Sequence, residues 1–220
     1  VKRATIRTVD TAYGEGRLHT RRATSPIATL LLSHGAGGGI ESRDLWALAD
    51  ALPAQGVTVV MFEQPWRVAG RKVATAPPTL DVALTRAADV MRVRTPLVVG
   101  GRSAGARSAA RTAKALGASG CLALSFPLHA PGKTEPTRLP ELRAVGLPTL
   151  LVQGDRDPMG RPDEFPAEQP GLDIVVIPGA DHGLKVPFRG EVSQEEAMGI
   201  VVESTLEWLV REVVGNPRGR

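Results

Sequence analysis

Gly101-Arg102-Ser103-Ala104-Gly105 decides how this chain reads. It follows an apolar run at 96–100 and opens a stretch at 104–116 rich in alanine and arginine. The first reads as a strand and the second as a helix. A serine at that junction sits on a sharp, strained turn. The residues two before and two after it must lack side chains, or strand and helix could not pass close together. Gly-x-Ser-x-Gly meets that demand and lifts the serine hydroxyl out as a nucleophile. The pentapeptide alone is a weak signal; the strand before it and the helix after it raise its weight.

Working outward, apolar runs alternate with helix-length segments. Residues 4–9 and 16–20 are short, alternate with polar positions and predict a pair of edge strands. Unbroken apolar strands are expected at 28–33, 57–62, 96–100, 120–125, 149–153 and 174–177. Helices are expected at 42–55, 79–92 and 104–116, with a short one near 140–145 and a long closing helix at 194–214. On the helix at 42–55, Leu45, Leu48, Ala49 and Leu52 share one face; on the closing helix, Ile200, Val201, Leu206, Leu209 and Val210 should face inward. Fully apolar strands are covered on both faces, so the expected architecture is α/β: a mostly parallel sheet with an antiparallel N-terminal edge and helices on both faces. Residues 1–214 read as one domain and 215–220 as a flexible tail. In such sheets ligands bind beyond the carboxyl ends of the strands, which directs attention to the loops after each strand.

Those loops carry three further motifs. His34-Gly35-Ala36-Gly37-Gly38-Gly39 follows the strand at 28–33. Glycines there let backbone N–H groups turn toward a developing oxyanion. The expected donors are the N–H of Ala104 and one from Gly35, Ala36 or Gly37, with Ala36 favoured. A plain flexible turn or a phosphate cradle are the other readings, and no Lys-Ser/Thr follows, which argues against a P-loop. His34 reads as structural, bonding the loop. Gly154-Asp155-Arg156-Asp157-Pro158 follows the strand at 149–153, and Gly179-Ala180-Asp181-His182-Gly183 follows the strand at 174–177. An imidazole acting as a base needs a carboxylate on its far nitrogen. Ser103, Asp157 and His182 occur in that chain order. Asp157 is favoured over Asp155 because Pro158 biases it toward an extended conformation, while Asp155 sits where an Asx turn is common.

Composition narrows the alternatives. The chain has 220 residues, 42% of them apolar, and a formal charge of +4. Its basic residues look scattered: Arg21-Arg22, Arg92, Arg94, Arg107 and Arg111. With no basic helix, zinc spacing or aromatic RNA-binding box, nucleic-acid binding is not expected. The single cysteine, Cys121, lies in an apolar strand and reads as buried and inert. Lys2-Arg3 is not followed by an apolar segment and no run approaches the length of a membrane span, so the expected setting is the cytoplasm, with no membrane association. No metal or organic cofactor is implied.

On these motifs the chain resembles the α/β-hydrolase superfamily over nearly its whole length. It is similar, more narrowly, to a small lidless branch that includes a vertebrate testis-expressed protein and a chromatin-complex subunit. That likeness rests on Gly100-Gly101-Arg102-Ser103-Ala104-Gly105-Ala106-Arg107, Ser125-Phe126-Pro127-Leu128-His129, Gly179-Ala180-Asp181-His182 and Pro65-Trp66-Arg67-Val68-Ala69-Gly70-Arg71. The resemblance implies a Ser103–His182–Asp157 triad, supports Asp157 through a Gly-x-x-Asp pattern, and says little about substrate. It also implies that some relatives act through protein contacts. The expected activity is hydrolysis of a small carboxylic ester or related acyl compound through an acyl-enzyme, in the manner of a carboxylesterase. An interaction scaffold, a peptidase and a dienelactone-hydrolase-like enzyme are the alternatives; the last usually has a cysteine nucleophile, and Cys121 is not at an elbow. Gly35, Gly37, Arg102, His129 and Trp66 are candidates to line the pocket. His129 reads otherwise as a loop histidine bonding backbone, and Arg107 as an anchor for a nearby carboxylate. The 126–139 segment is too short for a helical cap.

Overall fold

The computed structural model describes residues 4–166 and 168–215. Eight strands form one sheet in the order β1-β2-β4-β3-β5-β6-β7-β8. They are β1 Thr5–Thr11, β2 Gly14–Arg21, β3 Ala28–Ser33, β4 Val57–Glu63, β5 Leu97–Arg102, β6 Gly120–Leu124, β7 Thr149–Gly154 and β8 Leu172–Ile177. β1 and β2 pair antiparallel, as do β2 and β4, and every other pairing is parallel. The expected architecture holds, including its antiparallel N-terminal edge.

Residue parity divides the core. Leu30, Leu32, Val59, Met61, Leu122 and Leu124 pack on one face under α1 (Arg43–Ala51) and the closing helix. Leu31, Val60, Phe62, Val99, Cys121 and Ala123 pack on the other. Alternating side chains of a strand point to opposite faces, so six consecutive buried residues in β3 require a layer on each side. After α2 (Pro65–Val68) come α3 (Pro77–Asp89) and α4 (Ala104–Thr112), then the short α5 (Leu139–Arg143). α3, α4 and α5 supply the second layer. Residues 126–138 form no helix, so no cap covers this end of the sheet. Cys121 is fully buried, and burial pushes its thiol up to about 12.

Several boundaries differ from the sequence reading, each for a local reason. Pro96 cannot donate to the ladder, so β5 begins at Leu97 and runs on to Arg102. Pro53 turns the end of the first helix into a 3-10 segment, Leu52–Gln55. α3 starts two residues early because Pro77 and Pro78 suit a first helical turn. It ends three early, and Arg92 then takes a left-handed φ of 48°. α4 ends at Thr112, and the chain continues in turns to Gly117 at φ 67°. The closing helix is α6 (Gln194–Trp208) followed by a π-helical turn, Leu209–Val214. Its wider winding buries Leu209 and Val213 and leaves Val210, expected inside, 47% exposed. Of the tail expected at 215–220, residues 216–220 lie outside the described residues. Among those described, no helix is long and apolar enough to cross a membrane.

One contact governs the sheet's active edge. A Cβ built on Gly105 would overlap the Ser33 carbonyl and lie 2.7 Å from the His34 oxygen; one on Gly101 would overlap Ser33 and meet the Gly105 carbonyl carbon at 2.7 Å. These neighbours are backbone and cannot step aside. Gly105→Ala is therefore expected to lower stability by about 1–3 kcal/mol. Gly199→Ala, on α6 with open space around it, should raise stability by about 0.5–1 kcal/mol. Urea unfolding of the two variants checks both signs.

Candidate active site

Ser103 follows β5 directly and caps α4, with φ 53° and ψ −115°. A serine in that region is strained, by roughly 1–3 kcal/mol. The strain is held by the Ser103 N–H bond to the Leu124 carbonyl (3.0 Å) and by the Arg107 N–H bond to the Ser103 carbonyl (3.1 Å). The turn raises the hydroxyl toward the loop after β8. There His182 Nε2 lies 2.9 Å from Ser103 Oγ, and His182 Nδ1 lies 2.8 Å from Asp157 Oδ2. A carboxylate only accepts, so Nδ1–H donates to Asp157 and the serine O–H donates to Nε2.

Asp157 is fully buried. Besides His182 it accepts from Gln153 Nε2 (2.9 Å) and from the Met159 N–H (2.8 Å). These donors replace the water that the carboxylate lost. The Asx turn expected of Asp155 belongs instead to Asp157, through that Met159 bond. Asp155 Oδ1 is buried with no hydrogen-bond partner among the described residues.

Gln153 escaped the sequence reading. Its Nε2 also donates to the Gly160 carbonyl (2.7 Å), and its Oε1 accepts the Phe126 N–H (2.9 Å). A glutamine closing an otherwise apolar strand was the available signal, because a buried amide must be satisfied by something near it.

Gly35 lies beside the serine: a Cβ there would sit 3.3 Å from Ser103 Cβ. The 35–37 turn therefore borders the hydroxyl, with Ala36 and Gly37 exposed. As the first residue of α4, Ala104 has an N–H without an intrahelical acceptor. His34 holds the turn from beneath. Its Nδ1–H donates to the Gly35 carbonyl (2.9 Å) and its Nε2 accepts the Gln64 N–H (3.0 Å). Burial pushes its pKa down, which suits a neutral ring in that double role.

Three pocket candidates have other occupations. Trp66 is 4% exposed with its ring edge-on to His34, centroids 5.3 Å apart, so it supports the turn from within. His129 is buried, with Nε2 2.6 Å from Glu164 Oε2, and is not hydrogen-bonded to Ser103 or His182. Arg102 is a clamp. Its Nε faces Asp44 Oδ2 at 2.9 Å, and its Nη2 donates to the His182 carbonyl. Asp44 lies fully buried on α1, so the guanidinium neutralises a carboxylate in the core while tying the elbow to the histidine loop. Asp181 shapes that loop by accepting from the Gly183 and Lys185 N–H groups (2.7 and 3.0 Å). Arg107 pairs with Glu141, as expected of a carboxylate anchor. No group of metal-binding side chains occurs among the described residues.

A serine hydroxyl, an imidazole and a buried carboxylate in series, at the carboxyl edge of this strand order, agree with the sequence comparison: the family described as alpha/beta hydrolase domain matches residues 26–210. The chain belongs to the α/β-hydrolase family. No curated protein matches it. Among solved structures, a lidless α/β serine hydrolase from Xanthomonas campestris superposes with TM-score 0.71 at 20% identity, covering 94% of this chain and 96% of that one. Est1E from Butyrivibrio proteoclasticus gives 0.73 at 15% identity, covering 94% and 99%. A dienelactone hydrolase from Anabaena variabilis gives 0.72 at 17% identity, covering 96% and 98%. At these identities the likeness concerns the fold.

Two expected outcomes follow from the charged pairs around the site. Arg102→Ala leaves Asp44 uncompensated in the core and should cost about 3–5 kcal/mol, whereas Arg102→Leu combined with Asp44→Leu should recover much of that loss. Chemical denaturation of the three proteins compares them.

The second concerns His129 and Glu164, which brace the segment following Asp157. Burial disfavours the imidazolium, but the nearby Glu135 backbone and the hydrogen-bonded Glu164 carboxylate together outweigh it, and the His129 pKa is raised. A backbone bond from Arg161, against burial and with help from His129, holds the Glu164 carboxyl low. The His129 contribution is complete below its ordinary 6.5 and fades as pH rises through the raised value. The Glu164 contribution is complete above its ordinary 4.5 and fades as pH falls through the lowered value. The stability difference between the native protein and His129→Gln should thus peak between 4.5 and 6.5 and shrink in alkaline buffer.

Proposed function

We propose that this α/β hydrolase is a serine hydrolase of the carboxylesterase type, acting on small acyl compounds through an acyl-enzyme. The observation that carries the reading is the continuous hydrogen-bond chain from Ser103 Oγ through His182 to Asp157, at 2.9 and 2.8 Å. Ser103 Oγ attacks the carbonyl carbon while His182 Nε2 takes its proton. Asp157 holds the ring's orientation and stabilises the imidazolium. The Ala104 and Ala36 N–H groups receive the oxyanion. The bond to the leaving group breaks as His182 returns the proton to it. Water, deprotonated by the same imidazole, then cleaves the acyl ester and regenerates the serine. Gly35 and Gly37 border the acyl group. The uncapped site favours small, soluble substrates over lipid interfaces. On the motifs named above, we place the chain in the small lidless branch with the testis-expressed and chromatin-complex relatives, working in the cytoplasm on a small molecule without a cofactor.

Incubation with a fluorophosphonate followed by peptide mass analysis should locate a single adduct on Ser103, absent from Ser103→Ala. An adduct elsewhere, or none on folded protein, defeats the reading and favours a scaffold on a hydrolase fold. On a short soluble ester, Asp157→Asn should lower kcat by roughly 10²–10⁴ with little change in KM. Asp155→Asn should leave kcat nearly intact, and a larger loss there would overturn the assignment of the acid.

A further inference from the structure

The far end of the sheet holds a second concave site. Thr29 is the second residue of β3, which reaches Ser33 beside the Ser103 turn, and Thr95 precedes β5, which ends at Arg102. A groove lined by Thr29 and Thr95 therefore lies at the opposite ends of the strands from Ser103. Its volume is about 450 Å³, within the range of small-molecule sites.

Four arginines line it: Arg7 from β1, Arg22 just after β2, and Arg92 and Arg94 from the loop between α3 and β5. No aspartate or glutamate is among its lining residues in the described part of the chain. Arg7 is fixed by donating from Nη1 to the Val90 carbonyl at 2.9 Å. Arg22, Arg92 and Arg94 have no ion-pair or side-chain hydrogen-bond partner among the described residues, although many arginines elsewhere in the chain do. Arg92 sits at φ 48°, an unfavoured conformation for a residue with a side chain.

Gathering like charges around one concavity with no internal counter-charge raises the energy of the empty site, and a bound anion relieves it. The fork of guanidinium donors matches phosphate oxygens bidentately. Threonine hydroxyls, including the Thr29–Thr95 pair 2.8 Å apart, add donors on the floor. Val60 and Met91 offer an apolar wall for the rest of a ligand. We infer that this groove binds a small molecule bearing a di- or triphosphate, at a site separate from the Ser103 centre. Arg22, Arg92 and Arg94, which look scattered along the sequence, converge here with Arg7 because β1, β2 and the loop after α3 meet at this edge.

Isothermal titration with inorganic pyrophosphate, and then with adenosine triphosphate, tests this without reference to any chemistry at Ser103. Both should bind saturably at one site per chain. Arg92→Ala combined with Arg94→Ala should weaken both by at least about tenfold, a loss of the order of one charge-assisted contact. These arginines are exposed, so thermal unfolding of that variant should match the native protein. Arg71→Ala combined with Arg189→Ala removes the same charge from exposed positions outside the groove and should leave binding nearly unchanged. Three outcomes would overturn the inference. One is no saturable binding of either probe. Another is equal weakening by the control pair, which marks general charge attraction. The third is displacement of pyrophosphate by duplex DNA with affinity that grows with duplex length, which marks a nucleic-acid surface.

Discussion

The close passage of α4 over the end of β3 is the constraint on which the site depends. Gly105 lies against the Ser33 and His34 carbonyls, and Gly101 lies against Ser33 and Gly105. With no side chain at either position, β5 turns into α4 within one residue, and Ser103 is left in a conformation it would not choose alone. The same passage brings Gly35 against Ser103, so the turn after β3 and the serine are set by one contact. Moving the helix outward by the width of a methyl group would separate them.

Buried charge organises what surrounds this junction. Asp157 and Asp44 are both fully buried, and each is compensated differently. Asp157 has three donors, which hold it in line with His182. Asp44 has the Arg102 guanidinium, whose other end bonds the His182 carbonyl. The imidazole is thus located from two sides, by its ring through β7 and by its backbone through β5 and α1. Unsatisfied charge in the interior is costly, so neither side can relax without a large penalty. Gln153 and Gln64 do similar work with neutral amides, joining adjacent loops where strands end.

Much of this was legible in the sequence where the governing physics is local. Runs such as 28–33 announced buried strands, and the glycine spacing around Ser103 announced a close strand-to-helix turn. Prolines moved boundaries that periodicity alone misplaced, at Pro53, Pro77 and Pro96. Other positions depended on packing that periodicity does not reveal. Trp66 and His129, candidates to line the pocket, the latter read otherwise as a loop histidine, are buried against His34 and Glu164. Val210 lies outside because the last turn winds wide.

By itself the sequence determined the alternation of strand and helix, the parity that sends side chains to two layers, and the order of Ser103, Asp157 and His182. Each rests on interactions among near neighbours or on simple periodicity, and these survive without knowing what packs where. Only the tertiary structure decided that Arg102 would face Asp44 and bond the loop of His182, that Gln153 would serve Asp157, and that four arginines would line one groove. Apart from the Gln153–Asp157 bond, which spans four residues, those contacts join residues tens of positions apart. Their geometry is set by strand register and helix placement, which follow from burying the whole core at once and not from any local stretch.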